Sequence, residues 1–230
     1  MVSSFVSVLV LVIGLLMGSG KAVNAGEAAK TPPSGSVQTS SQADESLGRA
    51  DAPLLVEEFA SLTCSHCAQF FVEILPVLEK RYVETGKVRF VFHDFPLDGL
   101  GLHAAALARC MPEGQHRAFL AVLYKNLSVW ALDADPKLAL TRYAALGGLA
   151  PDKAKACWDD AKLLETIAEG REHAIKQYDI RATPTFILNH GQDKMEGAPP
   201  LDAFVTAFDR ALTVAASLKK PPVEKAPAKK

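Results

Sequence analysis

Two cysteines three positions apart, Cys64 and Cys67, lie in the stretch FASLTCSHCAQFF (Phe59 to Phe71), where an apolar run gives way to helical spacing. A Cys-x-x-Cys pair can ligate a metal, staple the chain, or exchange electrons with other thiols. A structural zinc site needs about four ligands, usually two such pairs. The other cysteines, Cys110 and Cys157, stand alone inside helical pattern, with no His within four residues of either. His66, between the pair, cannot easily complete one tetrahedral site with both. Metal ligation is therefore the weakest reading, and neither a metal nor another cofactor is expected.

The elements that must position the pair are legible around it. PLLVEEFAS (Pro53 to Ser61) is a short strand that delivers the chain to Cys64. From Cys67 to about Thr85, Phe71, Ile74, Leu75, Leu78 and Tyr82 recur at helical spacing, and Gly86 can end the helix. Pro76 must kink or locally break it. KVRFVFHDF (Lys87 to Phe95) is a second strand, and nearly every segment from Gly101 to Gln177 looks helical. TPTFILNHGQDKMEG (Thr183 to Gly197) reads as two strands around an Asn189–Gly191 turn. A last helix carries Leu201, Phe204, Phe208 and Leu212 on one face.

The ends set the compartment. FVSVLVLVIGLLMG is an apolar run of signal-peptide length, followed by AVNA, which offers an A-x-A-like cleavage site. No Lys or Arg precedes it, so an uncleaved anchor is the alternative. Either way the body of the chain is exported. The expected division is a signal peptide over 1–25, a disordered leader over 26–47, and a disordered basic tail over 219–230. The tail either touches anionic material or is simply solvated. A formal net charge of -1 argues against nucleic acid.

FASLTCSHC before a long helix, VFHDFPL, and ATPTF far downstream together resemble the DsbA-like branch of the thioredoxin superfamily, the bacterial extracytoplasmic thiol oxidoreductases. The resemblance implies an α/β, thioredoxin-like fold in two halves, 48–100 and 178–218, with an all-helical subdomain, 101–177, inserted between them. It implies a monomer in the periplasm that takes reduced exported proteins as substrates. A membrane, quinone-linked DsbB-like protein would reoxidise it. It also implies that Pro184 is cis and faces the cysteines. Thr183 then keeps its backbone groups for an extended substrate segment. Family members similarly carry an acidic residue six positions before the first cysteine. Here that is Glu58, which either faces inward as a proton carrier or is a solvated strand glutamate.

The chemistry of the pair follows from its place. At a strand-to-helix junction, unpaired N–H groups and the helix dipole favour a Cys64 thiolate, and the His66 imidazole adds to this. Cys67, a turn further in, should be buried and a poorer nucleophile. Cys64 thus forms the mixed disulfide with a substrate and Cys67 resolves it. A Cys64 pKa ~3 units below a free thiol favours the thiolate by about 4 kcal/mol. Assigned wholly to the reduced form, that makes the couple more oxidising by roughly 90 mV. The expected activity is oxidation of exported dithiols. A disulfide isomerase or reductase of the same fold and a non-catalytic peptide-binding chaperone are the alternatives. An even cysteine count in an oxidising compartment points to a structural Cys110–Cys157 disulfide, against two separate buried thiols.

Overall fold

The computed structural model describes residues 45–219. The signal segment, most of the leader and the basic tail lie outside them. Strands β1 (Glu45–Leu47), β2 (Leu54–Ala60), β3 (Val88–Asp94), β4 (Thr185–Leu188) and β5 (Asp193–Glu196) form one sheet in the order β1-β3-β2-β4-β5. β2 and β3 run parallel, and the other neighbours are antiparallel. The segment read as leader through residue 47 therefore ends earlier, because its last three residues pair with β3. Three residues are too few to show strand alternation.

β2 and β3 are joined by one helical run, 65–83. It comprises α1 (Ser65–Gln69), a π turn (Phe70–Ile74), α2 (Leu75–Leu78) and a second π turn (Glu79–Val83). The run starts two residues before the expected Cys67. Pro76 has no N–H for the Val72 carbonyl, and the wider turn before it lets the helix continue without that bond. Gly86, at φ 71°, closes the run: its N–H bonds the Val83 carbonyl at 2.8 Å and the Lys87 N–H bonds Tyr82 at 2.8 Å.

Strand parity sorts β2 into two faces. Leu54, Val56 and Glu58 share one face, where Leu54 and Val56 join the main core. Phe59 lies on the other, packed with Ala174, Ile180 and Ile187. On the main side Phe70 meets Phe186 at 4.5 Å and Phe204 at 5.3 Å between ring centroids. Phe204 and Phe208 belong to α9 (Leu201–Lys219) and are fully buried.

The helical insertion runs from α3 (Gly99–Arg109) through α4 (His116–Lys125), α5 (Leu127–Trp130), α6 (Pro136–Leu146) and α7 (Pro151–Trp158) to α8 (Ala161–Tyr178). It begins two residues before the expected boundary and ends one after. Asp98, Asp135 and Asp160 cap α3, α6 and α8, each accepting from backbone N–H groups of the first turn. Ala104, Ala105, Ala106 and Ala108 are all buried, and their small side chains let α3 sit among its neighbours. A disulfide joins Cys110, at the end of α3, to Cys157 in α7. Trp130 fills the middle of the insertion and donates its indole N–H to the Leu123 carbonyl at 2.8 Å. The whole is a thioredoxin-like core interrupted by a helical subdomain. Among the described residues no helix is long and apolar enough to cross a membrane.

Candidate active site

Cys64 is the N-cap of α1, with extended backbone (φ -91°, ψ 121°), and its carbonyl accepts from the Ala68 N–H at 3.0 Å. β2 ends four residues earlier, and a turn closed by the Cys64 N–H on the Ser61 carbonyl (3.2 Å) links the two. Cys64 therefore stands at the open end of a helix, where N–H groups lack intrahelical partners. Its side chain is 9% exposed, whereas Cys67 is fully buried. Both are free thiols in this structure.

The second half of the site comes from the other side of the insertion. The Thr183–Pro184 peptide bond is cis. The Cys64 thiol donates to the Thr183 carbonyl at 3.3 Å, which brings that loop directly onto the cysteine pair. The buried Thr183 hydroxyl has no hydrogen bond while the thiol points at the carbonyl, so it is available to a thiolate. Beyond Pro184, the Gly197 N–H bonds the Pro184 carbonyl at 2.7 Å and the Thr185 hydroxyl bonds Ala182 at 2.8 Å. These bonds fix the loop from behind.

The electrostatics separate the two cysteines. Hydrogen bonding from the Cys67 side chain lowers the Cys64 pKa to about 5, helped by Thr183 and the backbone N–H groups of Cys67 and His66, against burial. Burial, then the bond to Cys64, pushes the Cys67 thiol far above its ordinary range. His66 contributes through its backbone, and its imidazole lies exposed.

Glu58 faces inward. It is 1% exposed, and burial, then the charge of Cys64, holds its carboxyl well above the usual carboxylate range. Its Oε2 has no hydrogen-bond partner. It borders a cavity of about 280 Å³ lined also by Phe71, Asp94, Arg109, His116 and Tyr124. Arg109 and Asp94 pair at 2.6 Å on this wall, and His116 meets Glu45 of β1. The neighbouring Glu57 takes the opposite face, where it pairs with His93 at 3.3 Å and accepts from Tyr178 at 3.3 Å. The remaining histidines are structural or exposed: His93 stacks on Phe59, His103 stacks on Trp158, and His173 and His190 are open to solvent.

Sequence reasoning missed Tyr124, whose buried hydroxyl donates to the Ser61 carbonyl at 3.4 Å and whose ring lines the Glu58 cavity. Its only signal was an amphipathic position inside the helical block. Among the described residues no group of three or more His, Cys, Asp or Glu side chains is placed to hold a metal ion.

A thioredoxin core carrying a low-pKa cysteine at a helix start, a buried partner and a cis-proline loop defines the dithiol class of that fold. Residues 40–210 match the family described as Thioredoxin. In structure the chain is similar to Wolbachia pipientis alpha-DsbA1, at 32% identity and a TM-score of 0.69, covering 77% of this chain and 94% of that one. BdbD from Bacillus subtilis shares the fold at 22% identity and a TM-score of 0.64, covering 74% and 93%. In sequence it is 30% identical over 172 residues to a Rickettsia bellii protein named "Putative protein-disulfide oxidoreductase". That match takes in 74% of this chain but 64% of the relative, so the chain spans under two thirds of that protein's length. The chain belongs to the DsbA-like branch of the thioredoxin family.

Replacing Pro184 by threonine would place a backbone N–H beside the cysteine sulfurs, a donor that proline keeps away. Mixed disulfides should then persist severalfold longer, read by non-reducing gels after mixing with a reduced client. Turnover at the unmodified rate would show that the missing donor has no part in resolution.

Proposed function

We propose that this chain is an extracytoplasmic protein thiol:disulfide oxidoreductase that introduces disulfides into exported proteins through the CSHC pair. One observation carries the reading: the structure stabilises a Cys64 thiolate and penalises a Cys67 thiolate. In the oxidised protein, a client thiolate attacks the Cys64 sulfur and the Cys64–Cys67 bond breaks. Cys67 leaves and takes up a proton. A second client thiolate then attacks the client sulfur of the mixed disulfide, and Cys64 departs as a thiolate. Two electrons pass from client to protein, and the client gains one disulfide.

Magnitude favours this direction. At pH 7 a thiol with a pKa of about 5 gains on the order of 3 kcal/mol as thiolate over an unperturbed one. That is about 60 mV toward oxidation. It is smaller than the figure obtained when the whole shift is counted, because only the part of the shift below pH 7 acts at that pH. The reoxidant this requires is a membrane, quinone-linked protein of the DsbB type, which matches export of the chain to the periplasm. Oxidation of reduced ribonuclease, run beside refolding of the scrambled enzyme and reduction of insulin, tests the assignment. Fast oxidation with slow reshuffling supports it. Efficient reshuffling without net oxidation would mark an isomerase, and inactivity in all three assays a binding protein.

Glu58 is the proton donor to the departing Cys67 in this scheme, since burial keeps it protonated and its charge is felt at Cys67. Glu58→Gln should slow mixed-disulfide formation from the oxidised protein about a hundredfold, at the low end for a positioned acid. Linkage gives a second readout. The folded carboxyl binds its proton more tightly than the unfolded one, so it costs stability as pH rises above about 4.3. Glu58→Gln should therefore unfold less readily than the unmodified protein at pH 7, and equally at about pH 3. Equal stability at both would mean that Glu58 is ionised in the fold.

A further inference from the structure

The inserted subdomain reaches the active-site turn through a short chain of side chains. Asp98, the cap of α3, accepts the Gly101 N–H on Oδ1 at 2.7 Å and the Thr63 hydroxyl on Oδ2 at 2.8 Å. Thr63 Oγ1 lies 2.9 Å from Ser61 Oγ. Ser61 Oγ accepts the Thr63 N–H at 3.3 Å and the Leu97 N–H at 3.4 Å, and its carbonyl accepts from Cys64 and Tyr124. A Cβ at Gly101 would lie 3.0 Å from both hydroxyls, so any larger residue would have to push them back, and glycine lets α3 come this close without that. Ser61 is fully enclosed, although Asp98 is exposed.

We propose that Thr63 and Asp98 are positioning residues for the nucleophile, pinning the Ser61–Cys64 turn to α3 so that the Cys64 sulfur is held at the Thr183 carbonyl and the first N–H groups of α1. The proposal rests on the oxidoreductase reading and adds residues that never touch the substrate. Without the pin, the turn keeps its buried Leu62 but loses its tie to α3, and the sulfur's alignment with its donors loosens. The groups that act on Cys64 are Cys67 and the His66 backbone on α1 and Thr183 in the loop before β4, and the charge of Cys64 is felt by Glu58 on β2 and Tyr124 on α4. The turn is what brings the sulfur to all of them. Asp98 acts here as a hydrogen-bond acceptor, not through its charge.

The test is thiolate absorbance against pH in the reduced protein. Thr63→Val, which keeps the shape and removes the hydroxyl, should raise the Cys64 midpoint by about one unit, so that thiolate absorbance at pH 5 falls about fivefold. Asp98→Ala should do the same, and the double variant should add little, because both changes break one chain. Thr63→Ser keeps the hydroxyl and should titrate as the unmodified protein does, whereas Asp98→Asn keeps one of the two acceptor oxygens and should shift the midpoint less than Asp98→Ala. An unmoved midpoint in Thr63→Val would overturn the proposal. So would Thr63→Ser shifting the midpoint as far as Thr63→Val, since the hydroxyl would then play no part. If Asp98→Ala does not fold, the Thr63→Val and Thr63→Ser pair decides alone. No client or reoxidant enters this titration, so its outcome is separable from that of the oxidation assays.

Discussion

Replacing Cys67 by alanine should yield a protein whose Cys64 thiolate attacks the disulfides of oxidised clients and, with no Cys67 to resolve the mixed disulfide, stays joined to one client sulfur. Non-reducing gels should show mixed disulfides through Cys64. Cys64→Ala should form none, and its rate of disulfide transfer should fall to background. The asymmetry has one origin. Cys64 sits at the start of α1 with the Thr183 loop against it, whereas Cys67 is buried with its thiolate penalised. The reduced protein should show thiolate absorbance with a midpoint near 5. Because the folded pKa lies below that of the unfolded chain, the reduced form gains stability from Cys64 that is complete above about pH 8.5. It is lost as pH falls through the folded value. A midpoint near that of a free thiol would remove the oxidising assignment, and equal trapping by both variants would remove the division of roles.

Removing the second disulfide should weaken the fold without silencing the chemistry. The Cys110–Cys157 bond closes a loop with a sequence separation of 47, worth about 4 kcal/mol when the gain is counted as lost freedom of the unfolded chain. A Cys110→Ala, Cys157→Ala double variant should therefore melt roughly 10 °C lower for a domain of this size. Its Cys64 should still titrate near 5. Gly101 meets the active-site turn at one end of α3, and Cys110 follows Arg109 at the other, about 15 Å along the helix axis. Calorimetry and the thiolate titration give the two readouts. Unchanged melting, or loss of the low midpoint in a variant that still folds, would contradict this division between stability and reactivity.

The parts of the fold with long periodicity were open to sequence reading. The helical block, the last helix and the hairpin around Asn189–Gly191 follow from spacing and turn residues, and the cysteine pair falls where a strand meets a helix. Glu58 was left between two orientations because its run is only seven residues long and places two glutamates side by side. The sheet decides it, since Glu58 shares the face of Leu54 and Val56. β1 was hidden because its pairing with β3 is set by tertiary contact and not by local pattern. The Ser61–Thr63–Asp98 chain was hidden for a related reason. It joins residues 35 apart, and hydroxyl and carboxylate side chains in a turn carry no periodicity to announce a partner.

The site is split by the insertion. Cys64 and its partner Thr183 are 119 residues apart, and β2 joins β4 across the same gap. Closing so long a segment costs entropy before any contact rewards it. The two cysteines of the insertion, by contrast, are 47 residues apart, within the helical block from α3 to α7. A chain that emerges from its N-terminus passes through a stage in which Cys64 has left the ribosome or translocon while its acceptor loop has not. During that stage its sulfur has the reactivity of any unfolded thiol. The completed Cys64 site is a late product of topology, finished by the arrival of roughly the chain's last fifth.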